Sequence, residues 1–179
     1  MKLSWRLIDI FLLSCLMLVV VTCGDDDDND VTTSNLLWSD SASGLMWQNG
    51  SDCCHNWDAA VTYCTSLDWG GYVNWRLPTI TELRSLIRGC GDVEVDGACG
   101  VDDSCLEESC WSESCSGCLD SGPGPDGLFW PSELEGESGR YWASSVNTDD
   151  VDRMWSMNFI GGGLSIDRDF EENVVRCVR

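Results

Sequence analysis

Ten cysteines stand between positions 53 and 177, at 53, 54, 64, 90, 99, 105, 110, 115, 118 and 177, in a chain of 179 residues. In an oxidising compartment such an even, dense set is a disulfide framework; in a reducing one it points to metal or redox chemistry. The N-terminal residues choose between these. Lys2 and Arg6 precede an apolar run from Ile10 to Val21 that only Ser14 interrupts, the pattern of a secretory signal peptide over residues 1–22. That run is too short for a membrane span, which needs about 20 apolar residues, and Asp25 to Asp28 follow it closely. Export makes five disulfides the expectation, with about 945 pairings open to ten cysteines.

The tetrad Val20-Val21-Thr22-Cys23 resembles the bacterial lipobox. That resemblance implies that Cys23 is lipidated and becomes the mature N-terminus, anchoring the protein to a membrane of the cell envelope, the outer membrane or cell surface rather than the inner membrane. Residues 23–35 then read as lipid anchor and acidic tether, because four aspartates with Asn29 and Asp30 form a solvated stretch without a core. Removing residues 1–22 takes two cations and one carboxylate from a chain of net charge -21, leaving -22 and no lysine. Nucleic acid is therefore not an expected partner.

Residues 36–179 suffice for one α+β domain with a modest core. Leu36-Leu37-Trp38 and Leu45-Met46-Trp47, joined by a Ser, Asp and Gly-rich turn, predict a hairpin. Asn56 caps a helix whose Trp57, Ala60, Val61, Cys64 and Leu67 share one face, which turns Cys64 inward, and Gly70 and Gly71 end it. Thr79 and Glu82 form a T-x-x-E capping box for a second helix. It carries Ile80, Leu83, Leu86 and Ile87 on one face and Arg84 and Arg88 on another, and stops by Gly89. From about residue 90 to 139 the pattern dissolves into a disulfide-held excursion anchored by Leu128-Phe129-Trp130. Four strands are then expected at Tyr141–Ser145, Met154–Phe159, Leu164–Ile166 and Val174–Val178, pairing antiparallel. Trp47, Trp57, Trp75, Trp142 and Trp155 are expected in the core.

Six segments in order, SGLMWQ (43–48), WDAAVTYCTSL (57–67), GYVNWRLPTITELRSLI (71–87), YWASS (141–145), MWSMNF (154–159) and VVRCVR (174–179), resemble the Lcl C-terminal domain family. The family takes its name from the terminal domain of a bacterial collagen-like adhesin. The resemblance implies an exported bacterial domain with a C-type-lectin-like fold: two helices, a small antiparallel sheet and here a disulfide-rich insertion. It also implies a bond between the first helix and the last strand, Cys64 to Cys177. The namesake's association with sulfated polysaccharides fits poorly with a charge of -22, unless Arg84 and Arg88 form a local patch; on a helix, such a pair is usually solvated or salt-bridged. The E-P-N and W-N-D signatures of calcium-dependent sugar-binding lectins are missing from the sequence.

Catalytic and metal chemistry find little support. His55 is the single histidine, and although Cys54 beside it has the residue types of a nucleophile and base, sequence neighbours seldom reach the geometry. Cys115-Ser116-Gly117-Cys118 has C-x-x-C spacing, and Cys105, Cys110, Cys115 and Cys118 could hold a metal, but export favours structural disulfides for these and for Cys53, Cys54, Cys90 and Cys99. Asp92, Glu94, Asp96, Gly97 and Asp103 occupy positions 1, 3, 5, 6 and 12 of a calcium-loop-like pattern, so calcium is the one cofactor the sequence admits. An acidic surface is the expected reading there, as it is for Asn147, Asp149, Asp150 and Asp152. The expected function is a non-catalytic, lipid-anchored ligand-binding or adhesion module for a glycan or an envelope protein. The alternatives are a cysteine-dependent enzyme related in fold to formylglycine-generating enzymes, and a purely structural envelope protein.

Overall fold

The computed structural model describes residues 36–179; the expected signal peptide (1–22), Cys23 and the tether (23–35) lie outside the described residues. The domain is α+β, with two sheets. Strands β1 (Leu37–Ser39) and β2 (Met46–Gln48) form the expected hairpin, with Trp38 opposite Trp47. Its turn is held by Asp40, whose carboxylate accepts the Ala42 N–H and the Ser43 hydroxyl.

The second sheet has five strands in the order β3-β7-β4-β5-β6. They are β3 (Asp52–His55), β4 (Arg140–Val146), β5 (Arg153–Asn158), β6 (Gly163–Arg168) and β7 (Asn173–Val175). Two departures from expectation appear. Strand β3 carries no alternating apolar pattern and is recruited by backbone pairing to β7. Strand β7 also runs parallel to β4, with Tyr141 opposite Val174, so the sheet is mixed and not purely antiparallel. Parallel neighbours need a long connection, which β5 and β6 supply.

Alternation along the strands divides the interior into two layers. Tyr141, Ala143, Trp155, Met157 and Val174 face one side, packed with Ile80, Leu83, Leu86, Phe129 and Trp130. Trp142, Met154 and Val175 face the other, packed with Ala60, Cys64, Trp75 and Leu77. Helix α1 (Trp57–Ser66) covers this second face, with Asn56 accepting the Ala59 N–H as its cap. It ends at Ser66; Gly70 and Gly71, expected to end it, instead form a separate tight turn between Trp69 and Tyr72. Gly70 has φ +59, and a Cβ there would meet the Leu37 side chain at 2.6 Å.

Helix α2 (Ile80–Arg84) is shorter than its periodicity predicts. The capping box is complete, but after Arg84 the chain continues in tighter turns, Leu86 N–H to Leu83 and Ile87 N–H to Arg84. The helix is positioned by the bulge in β4, where the register with β5 slips between Trp142 and Val146. There the Ser144 N–H donates to the Pro78 carbonyl and the Ser145 hydroxyl accepts the Ile80 N–H. Two segments that carry the family resemblance, YWASS and NWRLPT, thus interlock at this bulge.

The chain terminus closes the domain. Gln48 N–H donates to Cys177, Met46 and Arg179 exchange backbone bonds, and so do Arg76 and Val178, so residues 177–179 lie between β2 and the Trp75–Leu77 segment.

Candidate functional site

The sulfur framework uses every cysteine among the described residues: Cys53–Cys54, Cys64–Cys177, Cys90–Cys118, Cys99–Cys115 and Cys105–Cys110. Cys64 and Cys177 are both fully buried and are joined with an S–S distance of 2.04 Å and a Cα separation of 5.5 Å. The C-x-x-C pair does not act as a unit, because Cys115 is bonded to Cys99 and Cys118 to Cys90. Nor is Cys54 a free thiol beside His55, whose ring nitrogen meets Asp52 at 3.0 Å.

The residues of the calcium-loop-like pattern are spread over separate contacts. Among the described residues no group of three or more Cys, His, Asp or Glu is arranged to hold a metal ion. The loop is filled by its own backbone: Cys99 N–H donates to the Asp92 carbonyl, and a Cβ on Gly97 would sit 2.2 Å from the Gly91 oxygen. The Glu94 carboxylate accepts the Gly89 N–H, and Asp103 accepts the Ser145 hydroxyl beyond the loop. Asp96 is left on the exposed surface. The second acidic group serves a turn, with Asn147 and Asp150 accepting the N–H groups of Asp149 and Asp152.

Arg84 and Arg88 do not make a patch. Arg84 is only 2% exposed, against the expectation of a solvated or salt-bridged side chain. Its guanidinium donates to the carbonyls of Val93, Glu94 and Val101, and these bonds draw the excursion onto α2. Besides the expected Leu128-Phe129-Trp130 anchor, the excursion contributes Val93, Val101 and Leu134 to the core. Arg88 is half-buried and donates to the carbonyls of Ser85 and Ile87. It lines an open cleft of about 530 Å³ together with Asp40, Glu94 and Asp96. Three carboxylates against Arg88 and the buried, carbonyl-bound Arg84, which also lines this cleft, disfavour a polyanion.

A second cleft, of about 520 Å³, has different chemistry. It runs along β6, the last strand of the sheet, and is lined by Trp111, Arg140, Leu164, Ser165, Ile166, Asp167 and Glu171. Trp111 lies in the excursion next to Cys110, one of the bonded cysteines, and is 37% exposed. Asp167 is 5% exposed, and its carboxylate is fully committed. One oxygen meets the Arg140 guanidinium at 3.1 Å; the other accepts from the Ser156 hydroxyl and, at 3.0 Å, from the Asn173 amide. Three strands, β5, β6 and β7, thereby fix the acid, and the acid fixes Arg140 at the cleft wall. Such an arrangement offers an indole face beside held polar groups, without any positive excess.

None of these cleft residues stood out in the sequence. Trp111 carried a usable signal: it is a tryptophan outside any apolar period, flanked by Cys110 and Ser112 in an acidic stretch. Of the five tryptophans expected in the core, Trp47, Trp75, Trp142 and Trp155 are buried and Trp57 is half-buried, donating to the Ala143 carbonyl. No helix among the described residues is long and apolar enough to cross a membrane. The family model of the Lcl C-terminal domain matches residues 37–179. No curated protein matches the chain.

Proposed function

Because the chain belongs to the Lcl C-terminal domain family, we propose that residues 36–179 are a non-catalytic binding module whose Trp111 cleft receives a neutral, polyhydroxylated ligand such as a glycan. The observation that carries this reading is the exposed indole of Trp111 beside the fixed Arg140–Asp167 pair. Sugar rings present apolar C–H faces that stack on an indole, and hydroxyls that accept from a guanidinium such as that of Arg140, which buried Asp167 holds in place. The net charge of -22 left once residues 1–22 are removed selects against sulfated and other polyanionic glycans.

Calorimetry with a panel of neutral and anionic oligosaccharides tests the reading. Binding of a neutral member that Trp111→Ala weakens about tenfold, equivalent to ~1.4 kcal/mol, is the expected result. Silence across the panel, or affinity untouched by Trp111→Ala, removes it.

One observation favours a protein ligand instead: among the described residues β6 is the end strand of its sheet, paired with β5 alone, and its Leu164, Ser165, Ile166 and Asp167 line the same cleft. An extended segment of an envelope protein could add there as a further strand. Stable pulldown of protein partners with no glycan binding would select that alternative.

We further infer that the module belongs to the cell envelope, tethered through a lipid on Cys23. Support comes from the apolar run ending at Val21, the Val20–Cys23 tetrad and the aspartates that follow. Cys23→Ser should release the protein from membranes and abolish labelling by fatty acid. A variant that fractionates with membranes like the parent, in cells where the parent takes up no label, would disprove the anchor.

A further inference from the structure

Cys53–Cys54 stands apart from the other four disulfides in three respects. Its two cysteines are adjacent in sequence, whereas the others are separated by 5 to 113 positions. Both cysteines are exposed, while Cys64–Cys177 and Cys99–Cys115 are buried, Cys90–Cys118 is half so, and Cys105–Cys110 is only partly open. Finally, it lies in a bulge. Asp52 pairs with Val175 and His55 with Asn173, so the two cysteines oppose the single residue Val174 and neither contributes a register pair. Strand β3 is itself the edge of the five-stranded sheet.

These features separate the bond from the stability of the fold. A crosslink between neighbours closes almost no loop, so the unfolded chain loses little freedom by it. The core clusters contain neither cysteine, and the flanking pairs Asp52–Val175 and His55–Asn173 hold β3 in place without it. A bulge on an edge strand is a common way to re-aim side chains of a sheet, and for one reductant acting on several disulfides of a protein, access to the sulfur is among the factors that set the rate of attack.

We propose that Cys53–Cys54 is a site of thiol–disulfide exchange, reducible by a dithiol while the other four disulfides stay intact. A thiolate of the external dithiol attacks one of the two sulfurs, the Cys53–Cys54 bond breaks and a mixed disulfide forms. The displaced thiolate takes a proton from the solvent to which both residues open. The second thiol of the reductant, having lost its proton, attacks the mixed disulfide and releases the other cysteine. Two electrons and two protons pass to the protein, and the dithiol leaves as a disulfide.

The test uses the full oxidised chain under native conditions, graded dithiothreitol, trapping with N-ethylmaleimide and peptide mapping that reads each cysteine separately. Label should enter Cys53 and Cys54 at a reductant concentration about tenfold below that needed for any other cysteine, with the far-ultraviolet circular dichroism unchanged. Labelling of Cys105 and Cys110 at the same or lower concentration overturns the proposal. So does labelling of Cys53 and Cys54 only as the protein unfolds. Replacing both by alanine (Cys53→Ala with Cys54→Ala) keeps the test decisive: this variant should melt close to the parent, and a loss as large as that from Cys105→Ala with Cys110→Ala would make the bond structural.

Discussion

Arg84 and Arg176 solve the same problem at two places. Each brings a buried guanidinium to backbone carbonyls of other segments of the chain. Arg176 donates to Gln48 and Glu135 and lies 4.7 Å from the Trp130 ring, so one side chain ties the end of the excursion to β2. Burial pushes its pKa below the ordinary arginine value, and the carbonyl bonds and aromatic faces offset part of that cost. Arg84→Ala should destabilise the domain by about 3 kcal/mol, because the carbonyls of Val93 and Val101 lose their donor, that of Glu94 keeps only the Gly97 N–H, and the packing of the side chain goes with them. Arg84→Lys should recover only part, since a compact ammonium cannot span three divergent acceptors. Urea unfolding measures both; a loss below about 1 kcal/mol for Arg84→Ala would mean that water satisfies those carbonyls as well. Alanine at Arg88, whose guanidinium caps its own turn at a half-exposed site, should cost much less.

At the scale of an element, α2 has only five residues and owes its stability to its ends. Thr79 accepts the Glu82 N–H, Glu82 returns a bond to the Thr79 N–H, and the same carboxylate takes both Arg76 nitrogens. Thr79→Ala should cost about 1 kcal/mol. Burial would raise the pKa of Glu82, but the Arg76 and Thr79 bonds outweigh it and hold the carboxyl below its ordinary value. A group depressed in the folded state stabilises fully above its unfolded pKa, and this contribution disappears as pH falls through the folded one. Thermal melts should therefore lose stability on acidification below the ordinary glutamate range. In Glu82→Gln that part of the acid sensitivity should be missing, and an unchanged acid limb would show that other carboxylates carry it.

For the whole molecule the controlling bond is Cys64–Cys177, because it spans 113 positions and closes nearly the entire domain. The chain-entropy model assigns about 5 kcal/mol to such a loop and about 2 kcal/mol to the short loop of Cys105–Cys110. Double alanine replacement at 64 and 177 should thus lower stability more than the same replacement at 105 and 110, as read from urea midpoints at equal slope. Equal losses would indicate that the hydrogen bonds of residues 177–179 with β2 and Arg76 already hold the terminus without the sulfur link.

Local and periodic features were legible in the sequence because their physics is local. The Asn56 cap, the Thr79–Glu82 box, the first hairpin, the strands of the later half and the inward face of Cys64 depend on residues a few positions apart. Tertiary structure alone decided what distant residues do. The polar strand β3 exists only because β7 lies beside it; β7 runs parallel to β4 because the β5–β6 hairpin occupies the other side; and Arg84 is buried because a loop of poor periodicity folds over it. The Trp111 cleft belongs to the same class, since its indole, guanidinium and carboxylate come from positions 111, 140 and 167. Where the acids from Asp92 to Asp103 point was likewise a tertiary matter: spacing along a chain records which residues are near in sequence, and the disulfide-held loop aims the carboxylates of Glu94 and Asp103 at different neighbours.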